Sequence, residues 1–293
     1  MDGGAVSGSV VLGGAEPELF LAPPAARGRG SFTPVLTFAL LLAGVAVAAL
    51  AYGWFEAGWL RTRVLAVPVA GLPPALEGLR IAHLSDFHLG PPSRGSVAVR
   101  RGCAWARERG PDLVVVTGDL LSHPGGRPAL DDALAGLDAF VVLGNHDVAV
   151  TRDPFSRAMR VVGLPATLLN GDAAVVERAG ERIQVAGTAP QPQAAIPPPD
   201  TSASLRILLS HYPTLQAPGY HLVLAGHMHA GQITLPYPGG RLRFAHLRSR
   251  LTQGIYREGG VTLHVSPGLG TTFVPLRLFA RPEATELVLR SEP

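Results

Sequence analysis

The sequence has 293 residues and contains no lysine: all 25 of its basic residues are arginine. This excludes chemistry built on a lysine Schiff base or on the lysine of a phosphate-binding loop. There is one cysteine, Cys103, so an internal disulfide and a thiolate-rich zinc site are excluded as well. Cys103 lies in RRGCAWARER, a stretch of helical composition, and reads as a packed thiol rather than a nucleophile. Charged residues make up only 16% of the chain and the formal balance is +3, with no basic block. Nucleic acid is therefore not an expected partner. Apolar residues are plentiful at 47%, enough for a sizeable core.

The apolar residues are unevenly spread. Residues 1–34 are rich in Gly, Ala and Pro without periodicity, and read as a disordered tail. Val35 to Phe55 then runs without a charge, long enough to cross a hydrocarbon core of about 30 Å. Tyr52, Trp54 and Trp59 stand at its far end, where an interfacial belt belongs. The reading is a transmembrane anchor over 35–55. Its competitor is a cleaved signal peptide, because AVAALA offers small-residue spacing. Arg27 and Arg29 before the span balance Arg61 and Arg63 after it, so charge does not orient it.

From about Leu65 to the C-terminus, β-rich runs alternate with helix-like stretches such as 97–109 and 130–137, an α/β pattern. Residues 172–187 read as a hairpin around Ala179-Gly180, and 188–204 as a surface loop. Five apolar runs (79–85, 112–118, 139–144, 205–210 and 221–226) each lead into a residue able to bind a metal. They deliver Asp86 and His88, then Asp119, then Asn145, His146 and Asp147, then His211, then His227 and His229. One such residue would mean little, since Asp at a strand end is often a cap and His often a satisfied surface group. Strand C-termini are where α/β sheets place their sites, and five in order are hard to assign to capping. Carboxylates, imidazoles and one amide without thiolate suit Mn, Fe, Zn or Co, and there are too many for a single tetrahedral ion. Two metals about 3.5–4 Å apart would clamp a phosphoryl group and lower the pKa of water. The i, i+2 spacing of Asp86 with His88, and of His227 with His229, predicts extended chain with both side chains on one face. Phe87 and Met228 would then pack on the other.

The ordered set DFH, GD, GNHD, SH and GHMH resembles the calcineurin-like metallophosphoesterase family, from about Leu79 to the C-terminus. LSDFHLG, GHMHAGQITLP and GLGTTFVPLRLFARPEATELVL resemble its small, membrane-associated bacterial phosphodiesterases, a branch similar to UDP-diacylglucosamine pyrophosphatase-like enzymes. The resemblance implies a four-layer α/β sandwich, two mixed sheets flanked by helices, over residues 65–293. It implies one metal on Asp86, His88 and His229, a second on Asn145, His211 and His227, and Asp119 bridging them. His146 would serve the leaving oxygen, with Asp147 orienting it or its loop. Gly118, Gly144 and Gly226 would let the backbone turn sharply before each ligand.

The chain departs from that pattern at Ser122 and His123 in GDLLSH, and at GTAP over 187–190. None of these carries a core ligand, so substrate contacts are what they affect. His83, His221, His246 and His264 follow no ligand spacing and read as structural; His123 is kept as a rim residue. Gln232 and Arg277 are left open as substrate contacts. The expectation is a two-metal hydrolase of phosphodiester or pyrophosphate bonds on a single-pass bacterial membrane, acting on a membrane or lipid-linked substrate. The alternatives are a general or cyclic-nucleotide phosphodiesterase with an incidental anchor, and a metal-binding scaffold without activity.

Overall fold

The computed structural model describes residues 32–148, 157, 160–247 and 249–292, together with 1, 3, 4 and 8. Most of the expected disordered tail lies outside the described residues. The chain forms two compact units, Met1–Gly44 and Val45–Pro293. Helix α1 (Phe32–Glu56) begins in the first and ends in the second. Its apolar side chains are exposed all round, Leu36 at 59% and Val45 at 69% among them. The 24 residues Thr33–Glu56 are long and apolar enough to cross a membrane.

After α1 the order is β1 (Arg61–Val69), β2 (Arg80–Leu84), α2 (Gly95–Arg109), β3 (Leu113–Thr117), α3 (Arg127–Leu134), β4 (Phe140–Val142) and β5 (Thr167–Leu168). Then follow β6 (Ala173–Arg178), β7 (Glu181–Gly187), β8 (Leu205–Ser210), β9 (Leu222–Ala225), β10 (Thr234–Tyr237), β11 (Gly240–Arg243), β12 (Gly254–Glu258), β13 (Val261–Val265) and β14 (Glu283–Ser291). One mixed sheet runs β1-β14-β2-β3-β4-β5 and a second runs β12-β13-β9-β8-β7-β6, with β10 and β11 pairing alone. The β6–β7 hairpin closes at Ala179 and Gly180, both at positive φ, as a tight turn between right-twisted strands requires.

The inner faces of the sheets pack through Ile81, Val115 and Leu287 against Ile207, Leu209 and Leu224. Each such side chain contributes about 1.5–3 kcal/mol by leaving water. Helices α2 and α3 cover the outer face of the first sheet, where Val99, Cys103, Leu130 and Leu134 meet Leu84 and Val116. The outer face of the second sheet is covered differently: loop residues Ala217, Tyr220 and Met228 lie on Leu208, Val223 and Leu263. The two mixed sheets with helices stand, and the fourth layer is made of loops.

The fold also starts earlier than Leu65. β1 begins at Arg61 and pairs in parallel with β14 over its whole length. Glu56, fully buried, accepts hydrogen bonds from the amides of Phe279 and Ala280 at 2.8 Å each. The Gly53 carbonyl accepts from the Arg277 amide, and the Arg281 guanidinium lies 3.9 Å over the Trp59 ring. The end of α1 is thus laced to the segment that leads into β14.

A candidate metal centre at the strand ends

β2, β3 and β4 are parallel neighbours in one sheet, and β8 and β9 in the other, so their C-termini converge. The chain does not run extended past them. Asp86 (φ +53°), His88 (+44°), Asp119 (+52°), His227 (+70°) and His229 (+48°) all adopt left-handed backbone. This overturns the extended i, i+2 reading. Each pair converges because both of its members turn the chain back in left-handed backbone, a conformation that costs an L-residue about 1–2 kcal/mol. Ladder-like bonds between the two loops hold it: the Asp86 amide donates to the Gly118 carbonyl and the His88 amide to the Asp119 carbonyl, both 2.9 Å. Phe87 and Met228 do pack, into the cores on either outer face.

The three glycines act in two ways. Gly118 sits at φ +88°, which a side chain would resist. Gly144 and Gly226 have no such φ. A Cβ at Gly144 would strike the Asp119 carboxylate, and one at Gly226 the Ser85 hydroxyl and Asp86 carboxylate. They permit close approach rather than a turn.

The ligand-type atoms fall into two groups that share Asp119. Asp86, His88, Asp119 and His229 present atoms within 4.8 Å of one another, as do Asp119, His211 and His227. Asp119 Oδ2 is 3.4 Å from His88 Nε2 and 3.3 Å from His211 Nε2, so it stands between the groups. The Asn145 side-chain oxygen joins the second group, 3.2 Å from His211 Nε2. All are buried except half-buried His227. His88 Nε2 and His229 Nε2 face each other at 3.1 Å, and His211 Nε2 and His227 Nδ1 at 3.2 Å. Facing ring nitrogens among buried carboxylates fit a cation, which lone pairs can share where protons would collide.

The other ring nitrogens are held from behind. His88 Nδ1 meets the Ser122 hydroxyl at 2.7 Å, and His211 Nδ1 donates to the Thr117 carbonyl at 2.8 Å. Such partners set which nitrogen faces the centre. Ser122, a departure from the family pattern, thereby supports His88. Burial opposes the charge of Asp119, but His211 and His88 outweigh it and hold the carboxyl well below its usual range. Burial works against the His211 imidazolium too, yet Asp119 lifts its pKa to about 9. His227 is pushed down to about 3 by burial and by His211.

His146 is buried, with its ring edge-on to His88 at 4.8 Å and its amide donating to Asp119 Oδ1 at 2.8 Å. Asp147 does not reach out to the centre: its carboxylate accepts the amides of Leu120, Leu121 and Gly144. It clamps the loop after β3 to the loop after β4, so its place is positioning rather than catalysis. His83 and His264 are buried between the sheets, His221 accepts from the Arg206 amide, and His123 caps a turn by accepting from Gly125. Gln232 bonds backbone at Thr272 and Val274, and fully buried Arg277 donates to the carbonyls of Pro267, Gly270 and Ala280 with His229 Nδ1 at 3.3 Å. Both side chains are held by the 267–280 segment, and Gln232 also lines the pocket beside His229.

Two neighbours escaped the motif reading. His246 stacks edge-on to His227 at 5.1 Å, and no spacing relates them in sequence. The Tyr212 hydroxyl donates to the Asn145 oxygen at 3.2 Å, for which adjacency to His211 was the available signal. Beside His229 opens a largely apolar pocket of about 230 Å³, walled by Met228, Ile233, Phe244, His246, Phe273 and Val274.

Two mixed sheets with acidic and imidazole groups meeting at their strand ends define a metal-dependent phosphoesterase. Residues 79–231 match the model of the calcineurin-like phosphoesterases, and the chain belongs to that family. It is 32% identical to the "Transmembrane protein with metallophosphoesterase domain" of Danio rerio, over 90% of this chain and 64% of that protein. It is 28% identical to the metallophosphoesterase YkuE of Bacillus subtilis, over 87% of this chain and 95% of that one. With the phosphodiesterase YaeI of Escherichia coli it shares 29% identity, over 81% of this chain and 89% of that one.

Proposed function

We propose that the chain hydrolyses a phosphodiester or pyrophosphate bond with two divalent metals, on a lipid-linked substrate in the membrane that α1 spans. The observation that carries the reading is the meeting of two ligand groups at Asp119 Oδ2. Asp86, His88 and His229 would hold one metal, Asn145, His211 and His227 the other, and Asp119 both. The metals would offset phosphoryl charge and bring the pKa of water toward neutrality. The rest falls to the chain. His146 stands against His88 with its amide tied to Asp119, so its ring can hold a proton near the leaving oxygen. Asp147 keeps the two loops in register.

Two features support a lipid-linked substrate. The apolar pocket beside His229 suits a hydrocarbon group next to the reacting phosphoryl. Its rim exposes Phe244 at 58% and Phe273 at 55%, with Leu247 close by at 69%. Residues 272–280 carry part of this rim and bind the end of α1 through Phe279 and Ala280. This arrangement supports a retained anchor that continues directly into the catalytic fold.

The test uses the full chain in detergent with Mn²⁺. It should cleave a nitrophenyl phosphodiester, and Asp119→Asn should lower the rate at least about a hundredfold. No turnover of diester, monoester or pyrophosphate with any divalent metal would sink the enzymatic reading. A preference for a soluble cyclic nucleotide over a lipid phosphodiester would remove the lipid part alone.

A further inference from the structure

A chain of buried hydrogen bonds runs from the second sheet to Asp86, and the acceptor at its end sets its direction. The Ser85 hydroxyl donates to the Asp86 carboxylate at Oδ2, 2.6 Å away. The Ser85 oxygen then accepts the Thr117 hydroxyl proton at 2.7 Å. The Thr117 oxygen accepts from His83 Nε2 at 2.9 Å. With its proton on Nε2, His83 offers a lone pair at Nδ1, which takes the Nδ1 proton of His264 at 2.8 Å. His264 is left with a bare Nε2, buried and without a hydrogen-bond partner among the described residues. All four side chains are fully buried. Burial keeps both imidazoles neutral, the His264 pKa being pushed down to about 3, so each ring carries the single proton the chain needs.

An unpaired buried ring nitrogen is unfavourable, and His264 stands in register with Ile255 and Leu224, where an apolar residue would fit. The histidine is explained by the proton it supplies. We propose that His83 and His264 are positioning residues for the metal centre. Through Thr117 and Ser85 they drive a one-way hydrogen-bond chain onto Asp86 Oδ2, beside the His227 amide that donates to both carboxylate oxygens at 3.1 Å, with Oδ1 3.4 Å from His229 Nε2. The inference rests on Asp86 holding a metal, as proposed above. Thr117 also accepts from His211 through its backbone carbonyl. Changing its side chain alone therefore separates the two ligand groups.

The test is a Mn²⁺ binding isotherm on the full chain in detergent. Thr117→Val keeps the shape and removes the hydroxyl. It should weaken one of two bound ions by about 10–100-fold and leave the other within about threefold. His264→Leu should weaken the same ion. His264→Asn puts an amide N–H in place of Nδ1–H and should recover affinity to within about threefold. A Thr117→Val isotherm that overlays the wild type overturns the proposal. So does a His264→Asn variant as weak as His264→Leu, since packing alone would then be at stake. A wild-type chain that binds no Mn²⁺ refutes the metal reading instead. In that event, or if a variant does not fold, ¹⁵N spectra of the wild-type imidazoles decide. Protons on His83 Nε2 and His264 Nδ1 are expected, and the opposite tautomers overturn the chain.

Discussion

Glu56 offers a sharp test of where helix α1 ends and the catalytic fold begins. Its carboxylate is fully buried and accepts two backbone hydrogen bonds, from Phe279 and Ala280, at 2.8 Å each. Hydrogen bonds to a charged group contribute about 1.5–3 kcal/mol each, and a buried amide left without an acceptor costs about 1–3 kcal/mol. Glu56→Ala strands both amides, of which that of Ala280 is the more deeply buried. Allowing for partial relaxation, the loss is about 3 kcal/mol. In a unit of this size 1 kcal/mol moves the melting point by about 2–4 °C, so the drop should be about 6–12 °C. Glu56→Gln keeps one acceptor oxygen and should lose about half as much. The assay is thermal unfolding of the full chain in detergent, followed by near-ultraviolet circular dichroism. A Glu56→Ala drop below about 2 °C would show that the helix merely abuts the catalytic unit. Equal losses in the two variants would show that the paired hydrogen bonds are not what matters.

Other consequences are open to direct measurement. Gly144→Ala should cost metal at both sites together, because its Cβ would strike the shared Asp119 carboxylate; elemental analysis reads the metal-to-protein ratio, and full occupancy would contradict the packing. Burial lifts the Cys103 thiol to about 12 from 9.0, so it stays protonated in the fold after it would ionise unfolded. Stability should thus be intact below pH 9 and fall by up to about 1.4 kcal/mol per pH unit above it, a slope that Cys103→Ala should remove in urea titrations. Alkaline carbonate should leave the full chain in the membrane fraction with α1 attached, whereas a released chain beginning near residue 52 would identify a cleaved signal.

The clustering of the candidate ligands could be anticipated from the sequence because each follows a short apolar run, and buried parallel strands are continuous apolar runs. Backbone conformation at the ligands could not. Asp86, His88, His227 and His229 alternate with Phe87 and Met228, and that alternation is what an extended strand would show. The left-handed turns at Asp86 and His88 depend instead on the loop after β3 lying against the loop after β2, and that at His227 on its amide meeting the Asp86 carboxylate 141 residues away. Glu56 was equally opaque. As the first charge after an apolar run it marks the edge of a span, and its partners lie 223 and 224 residues away. Arg277 and Gln232 had the chemistry of substrate contacts and are spent on backbone carbonyls of the 267–280 segment.

These cases share a physical cause. Strand termini bring the candidate ligands to one place, but which atom of each faces the centre is decided by groups from other parts of the chain. Ser122 turns His88, the Thr117 carbonyl turns His211, and Arg277 backs His229. Asp86 depends on Ser85 beside it, on Thr117 in the next strand, and on a histidine pair whose members are 181 residues apart. That pair forms only when the two sheets close on each other, since His83 belongs to β2 and His264 to β13. The geometry of the centre is therefore a product of sheet packing as much as of the ordered motifs. The same packing that buries Ile81, Leu209 and Leu224 also brings His264 to His83. Loosening the sheet interface should then act on Asp86 before it unfolds the chain, because a hydrogen-bond chain fails with a shift that apolar contacts tolerate.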